Sequence, residues 1–152
     1  MFGKRRLRGR AIAPLLLLAL LIAAGSALAA GVKLKLAGPS GVTLSHNQKY
    51  KVKASGRANS KANTLFAYEG GQVRGGTAAI VCYATESAEW ARYRPAPGIH
   101  VFLGPRHVSG RFSITWTNFA AVHVGPRSFC AYLANASGTK TYAQASLHWT
   151  NQ

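Results

Sequence analysis

From Val32 onward the chain sets apolar and polar side chains at alternate positions, the spacing that sends successive residues to opposite faces of a strand. Val32-Lys33-Leu34-Lys35-Leu36 follows this pattern, and Tyr50, Val52 and Ala54 alternate with Lys49, Lys51 and Lys53. Both segments read as half-buried strands with lysine on the wet face. Phe112, Ile114 and Trp116 alternate with Arg111, Ser113 and Thr115, which gathers three large apolar side chains on one face.

The remaining segments continue the β signature. Leu65-Phe66-Ala67-Tyr68 is a compact apolar strand ended by Gly70-Gly71, and Tyr142 to Trp149 supplies the last strand. Phe129-Cys130-Ala131-Tyr132-Leu133 is a continuous apolar run suited to a central strand covered on both faces. Turns are expected at Gly38-Pro39-Ser40-Gly41, Ser45-His46-Asn47 and Asn135-Ala136-Ser137-Gly138, with Val42 to Leu44 a short extra strand and Ser55 to Ala62 a polar loop. Gly75-Gly76 opens a segment in which Ala78 to Tyr83 is either a strand or the lead into a helix. Thr85 to Tyr93 is the one helix expected, with Thr85 as its cap, Glu86 near the positive end of the dipole and Pro95 as its stop. Strands marked by Val32, Tyr50, Leu65, Val101, Phe112, Phe129 and Tyr142 give about seven, the spacing of an all-β, immunoglobulin-like β-sandwich with a short helical insertion.

Residues 1–29 read as an export signal outside that fold. Lys4, Arg5, Arg6, Arg8 and Arg10 form a charged start, Ala11 to Ala24 is an apolar run broken only by Pro14, and Ala27-Leu28-Ala29 offers the small-any-small pattern of a cleavage site. The run falls short of the ~20 residues that span a bilayer, so cleavage after Ala29 is expected rather than retention as an anchor. Arg5-Arg6 stands in surroundings that fit twin-arginine export poorly, and no Cys follows the run to take a lipid. The expected mature part, residues 30–152, suits a single secreted or envelope-associated domain and holds no later stretch apolar enough to cross a membrane.

Charge narrows the partners. Five of the nineteen Lys and Arg residues lie in the export signal, which leaves fourteen against three Glu, a net of +11, and there is no Asp in the chain. Such an excess attracts polyanions, which outside a cell are wall polymers, acidic polysaccharides, anionic lipid heads and released nucleic acid. Lys33, Lys35, Lys49, Lys51 and Lys53 are expected to form one exposed basic patch, because alternation sets all five opposite their apolar neighbours. The two cysteines of the mature part, Cys82 and Cys130, read as one disulfide in an oxidising compartment.

Three stretches carry a resemblance. Tyr50-Lys51-Val52-Lys53-Ala54-Ser55-Gly56, Gly110-Arg111-Phe112-Ser113 and Cys130-Ala131-Tyr132-Leu133 resemble uncharacterised secreted immunoglobulin-like domains of high-GC bacteria. What the resemblance implies is a fold, with no activity attached. The chain departs from antibody domains in that Cys82 lies well after the second strand and Ser128 stands where a corner tyrosine would precede the cysteine. The bridge is then expected to tie the helical region to the next-to-last strand.

Chemistry-bearing residues are few. Without Asp, a Ser-His-Asp triad, an EF-hand loop and a paired-Asp site are excluded. Glu86 and Glu89 stand three apart on the expected helix, either as an acid and base pair of a small hydrolase, a nuclease or glycan hydrolase, or as solvent-facing glutamates with Glu89 paired to Arg92 or Tyr93. A ribonuclease would need a Glu base, a His such as His100 or His107, and a phosphate-holding Arg such as Arg106 or Arg111. The histidines His46, His100, His107, His123 and His148 show no ligand spacing, and neither metal nor cofactor is expected. Asn135-Ala136-Ser137 matches a glycosylation acceptor. The reading that follows is a non-enzymatic binding or structural module associating with anionic polymers or surfaces, with a hydrolase using Glu86 or Glu89, or a protein-interaction module, as the alternatives.

Overall fold

The computed structural model describes residues 31–71, 82–93 and 100–152. Its strands are β1 (Lys33–Ala37), β2 (Thr43–Leu44), β3 (Lys49–Arg57), β4 (Thr64–Gly71), β5 (His100–Phe102), β6 (Arg106–His107), β7 (Arg111–Ala120), β8 (Gly125–Ala134) and β9 (Thr141–Asn151), and its helix is α1 (Glu86–Tyr93). They build two sheets. One is three-stranded and antiparallel in the order β1-β3-β7, and the other runs β2-β9-β8-β4-β5 with β6 also paired to β4. β2 lies parallel to β9, whereas the other pairings are antiparallel.

The alternation read from sequence becomes the wall of the core. Val52 and Ala54 of β3 and Trp116 of β7 face Leu65 and Ala67 of β4, Phe129, Ala131 and Leu133 of β8, and Leu147 and Trp149 of β9, all buried in one cluster. Trp116 packs on Phe129 with centroids 5.2 Å apart, and Tyr50 meets the edge of Trp149 at 5.3 Å, so aromatic pairs stitch the two sheets together. The architecture is an all-β sandwich, as expected.

β8 is the central strand. Residues 128–134 are buried without interruption because the strand is covered on both sides. Phe129, Ala131 and Leu133 point into the sandwich, while Cys130, Tyr132 and Ala134 join Phe66 and Tyr68 of β4 in a second cluster on the outer face of the larger sheet. The segment carrying α1 lies over that face. Cys82 is bonded to Cys130, as expected from the cysteine count. The Thr85 hydroxyl accepts from the Ala88 N–H at 3.4 Å and so serves as the cap. Two turns of helix are marginal alone in water, so α1 depends on this docking. Pro95, Gly75-Gly76 and Ala78 to Val81 lie outside the described residues.

Three details depart from the sequence reading. The strands number nine among the described residues: the seven marked in the sequence, the short extra strand expected at Val42 to Leu44, which is β2, and the two-residue β6, which was not expected. The polar loop expected from Ser55 begins later, because Ser55, Gly56 and Arg57 are paired to β1 on one side and β7 on the other. Asn59 then makes the turn, its side-chain oxygen accepting from the N–H groups of Lys61 at 2.9 Å and Ala62 at 2.8 Å. Third, β7 carries a bulge, since Tyr50 pairs with Phe119 and Val52 with Trp116, which sets Thr117 and Asn118 opposite Lys51. The extra residue turns Phe119 to the core side, where it stacks on Tyr50 at 5.2 Å and meets the edge of Phe129 at 6.1 Å.

Candidate anion-binding face

The outer face of β1-β3-β7 collects cations. Lys33 and Lys35 on β1, Lys49, Lys51, Lys53 and Arg57 on β3, and Arg111 on β7 are all exposed. The five lysines expected to share a patch therefore stand on one sheet face, with Arg57 and Arg111 beside them. Ser113, Thr115 and Thr117 of β7 are exposed among them, and no large hydrophobic residue is exposed on these three strands.

Register decides which cations confront one another. Lys35 lies across from Ser55, and Lys53 lies between Ala37 and Thr115, so most of the lysines are staggered against small neutral residues. One row is different. Lys33 pairs with Arg57, and Arg57 pairs with Arg111, so three cations stand directly abreast on three neighbouring strands. Gly56 holds this row together. A Cβ there would lie 1.9 Å from the Lys33 carbonyl oxygen and 3.0 Å from the Phe112 ring, so β1 closes on β3 only because that position has no side chain.

No carboxylate side chain is available to neutralise the face, because the chain's three, Glu69, Glu86 and Glu89, are buried elsewhere. Glu69 points from β4 into the space between the sheets. It forms an ion pair with Arg127 of β8, whose Nε donates to Glu69 Oε1 at 3.0 Å, and the Tyr50 hydroxyl donates to the same oxygen at 3.4 Å. Burial, then the Glu69 charge, push the Tyr50 phenol well above its ordinary range, with Arg127 opposing.

Glu86 and Glu89 lie on the opposite side of the larger sheet, under α1, and both are buried. This corrects the solvent-facing reading: the two glutamates form the docking face of the helix. Glu86 accepts from the Tyr68 hydroxyl at 2.5 Å, and its backbone N–H donates to Thr141 Oγ1 at 2.9 Å. Gly138, in the turn between β8 and β9, leaves room for this carboxylate, since a Cβ there would sit 2.1 Å from Glu86 Oε2. Glu89 Oε2 accepts from the Tyr83 N–H at 3.0 Å and from the Tyr132 hydroxyl at 2.9 Å, while that hydroxyl also reaches the Tyr83 carbonyl at 2.8 Å. Burial raises the Glu86 carboxyl above the usual glutamate range, the Tyr68 hydrogen bond opposes this, and neighbouring Glu89 adds to it. Tyr68 and Tyr132 are also raised, chiefly by burial.

Of the ribonuclease alternative, Arg111 is held apart from the glutamates. Arg111 stands on the outer face of the smaller sheet, whereas the two glutamates sit behind the larger one, and two packed sheets are about 10 Å apart. Arg106 and His107 are exposed on β6, and the side chain of His100 lies outside what is described. His46, His123 and His148 are exposed, and among the described residues no three His, Cys, Asp or Glu side chains come together to hold a metal ion. Asn135 spends its amide on the turn, donating to Thr139 Oγ1 at 3.0 Å and accepting from the Lys140 N–H at 3.0 Å. Among the described residues no helix is long and apolar enough to cross a membrane.

No protein-family profile, no curated protein and no solved structure matches this chain.

Proposed function

We propose that the protein is an exported, non-enzymatic binding module that uses the outer face of β1-β3-β7 to associate with extended anionic polymers outside the cell or in its envelope. The observation that carries this is the separation of charge. Seven cations share one exposed sheet face, while the chain's three carboxylate side chains are buried in other parts of the sandwich. A face of one sign attracts an oppositely charged chain and raises its rate of encounter. The disulfide supports an oxidising compartment, and the strand order β1-β3-β7 against β2-β9-β8-β4-β5 supports the immunoglobulin-like reading.

The test is binding to a single-stranded oligonucleotide, used as a polyanion of known charge spacing, over a range of salt concentrations. Counterion release gives a log-log slope of about −0.7 for each phosphate neutralised on a single strand. Changing Lys49, Lys51 and Lys53 together to Gln is expected to flatten that slope. The melting temperature stays nearly constant, since exposed substitutions usually change stability by about 0.5 kcal/mol or less. Equal slopes for the two proteins would reduce the patch to a solvated face. Mass spectrometry of the exported protein checks the other half of the proposal, with loss of residues 1–29 expected.

A further inference from the structure

The row Lys33–Arg57–Arg111 is the least self-explanatory arrangement on the surface. Directly paired side chains on adjacent strands have Cβ atoms about 5 Å apart, and like charges so placed oppose sheet pairing. Elsewhere on this face register avoids the problem by setting lysine against serine, alanine or threonine. Here three cations are abreast, held by the close approach at Gly56, and every carboxylate side chain of the protein is buried away from them. A bound anion relieves the repulsion that the sheet itself leaves in place.

We infer that Lys33, Arg57 and Arg111 form a site for a phosphomonoester dianion, the terminal phosphate of an anionic polymer whose chain then runs along the lysines of the same face. The inference rests on the proposed function and deepens it by naming the group that anchors the polymer's end. Three cations abreast match a phosphate monoester, which carries a charge of about −1.5 to −2 at neutral pH, better than they match a single carboxylate. Two neighbouring guanidiniums offer planar pairs of N–H donors, the geometry that grips phosphate oxygens two at a time. Ser55 and Ser113 form the next row along the same strands, about 7 Å away at the rise of an antiparallel strand, and supply hydroxyl donors in the polymer's path. The composition of the face argues against other occupants. It exposes no large apolar side chain to enter a bilayer, and it has no aromatic ring on which a base or sugar would stack.

The test has two arms. In the first, melting temperature is followed as inorganic phosphate replaces chloride at constant ionic strength and neutral pH. Phosphate is expected to stabilise the wild type, and Arg57→Gln and Arg111→Gln are each expected to lose most of that gain. In chloride alone, Arg111→Gln should be no less stable than wild type, because it removes a like-charge neighbour without removing a partner. Equal stability in phosphate and chloride, or the same gain in wild type and both variants, would overturn the site. In the second arm, a short oligothymidylate with a 5′-phosphate is compared with the same strand ending in a hydroxyl. The phosphorylated strand should bind about tenfold tighter, as charge-assisted pairs at one end would give. That ratio should collapse toward one in Arg111→Gln but persist in the Lys49, Lys51 and Lys53 triple variant, whose affinity for both strands falls together. A ratio near one in the wild type with phosphate stabilisation intact would show a site for free phosphate and overturn the polymer end. If the polymer reading itself is wrong, neither strand binds, yet the phosphate arm still decides the anion site.

Discussion

Glu86 on α1 accepts a 2.5 Å hydrogen bond from the hydroxyl of Tyr68 on β4, so the helix docks by setting a carboxylate against a buried phenol. Burial raises the folded-state pKa of Glu86 above its unfolded value of about 4.3. Within the window between those two values the folded protein binds more protons than the unfolded chain, so stability falls as pH rises through it. Below the window both states are protonated and this penalty is absent. Glu86→Gln keeps an acceptor for Tyr68 but cannot ionise. The variant is expected to show a flatter stability curve above about pH 4 and to exceed the wild type at neutral pH. Denaturant unfolding at a series of pH values checks this, and parallel curves for the two proteins would refute it.

Arg127 and Glu69 form an ion pair with side chains 11% and 4% exposed. Arg127→Met is expected to cost about 3–5 kcal/mol, because it leaves a buried carboxylate without its cation. Adding Glu69→Leu should recover much of that loss, since a buried pair replaced by apolar groups is often close to neutral. Chemical denaturation of the single and double variants separates these outcomes.

The Cys82–Cys130 bridge spans 48 positions of sequence. Reduction is expected to cost about 4 kcal/mol at most on the chain-entropy account. The loss should be greatest at α1, which has two turns and no core of its own. Hydrogen exchange of the reduced protein should therefore show α1 amides released first, with those of β8 still protected.

Gly56→Val tests the tight junction of β1 and β3. The added side chain meets the Lys33 carbonyl, a backbone atom that can move only if β1 moves. The expected result is destabilisation of about 2 kcal/mol or more, in the range of overpacked or strained sites, together with loss of phosphate response. Stability and phosphate response both equal to wild type would show that β1 is not pinned there.

How much of this was legible in the sequence depends on whether the information is local. Alternation at Val32 to Leu36, Lys49 to Ala54 and Arg111 to Trp116 is local, and those segments are strands with the expected faces. The continuous apolar run at Phe129 to Leu133 likewise announced a strand covered twice. The bulge that turns Phe119 inward was not legible, because strict alternation places that residue on the wet face. Arg57 was missed because Ser55 and Gly56 read as punctuation, and only pairing on both sides makes them strand. The burial of Glu86 and Glu89 runs against the usual exposure of glutamate. Their phenol partners are 18 and 43 residues away, beyond the reach of local pattern.

The bridge also imposes an order in time. Cys82 is made before β8 exists, and its partner arrives only 48 residues later on the strand that lies between β4 and β9. The bridge then fastens the segment carrying α1 to the middle of the larger sheet. Closing a loop of that length has an entropic cost, so oxidation is a record that the two segments have met. A thiol assay on freshly made protein would thus count the molecules in which the segment carrying α1 has not yet been fastened to β8.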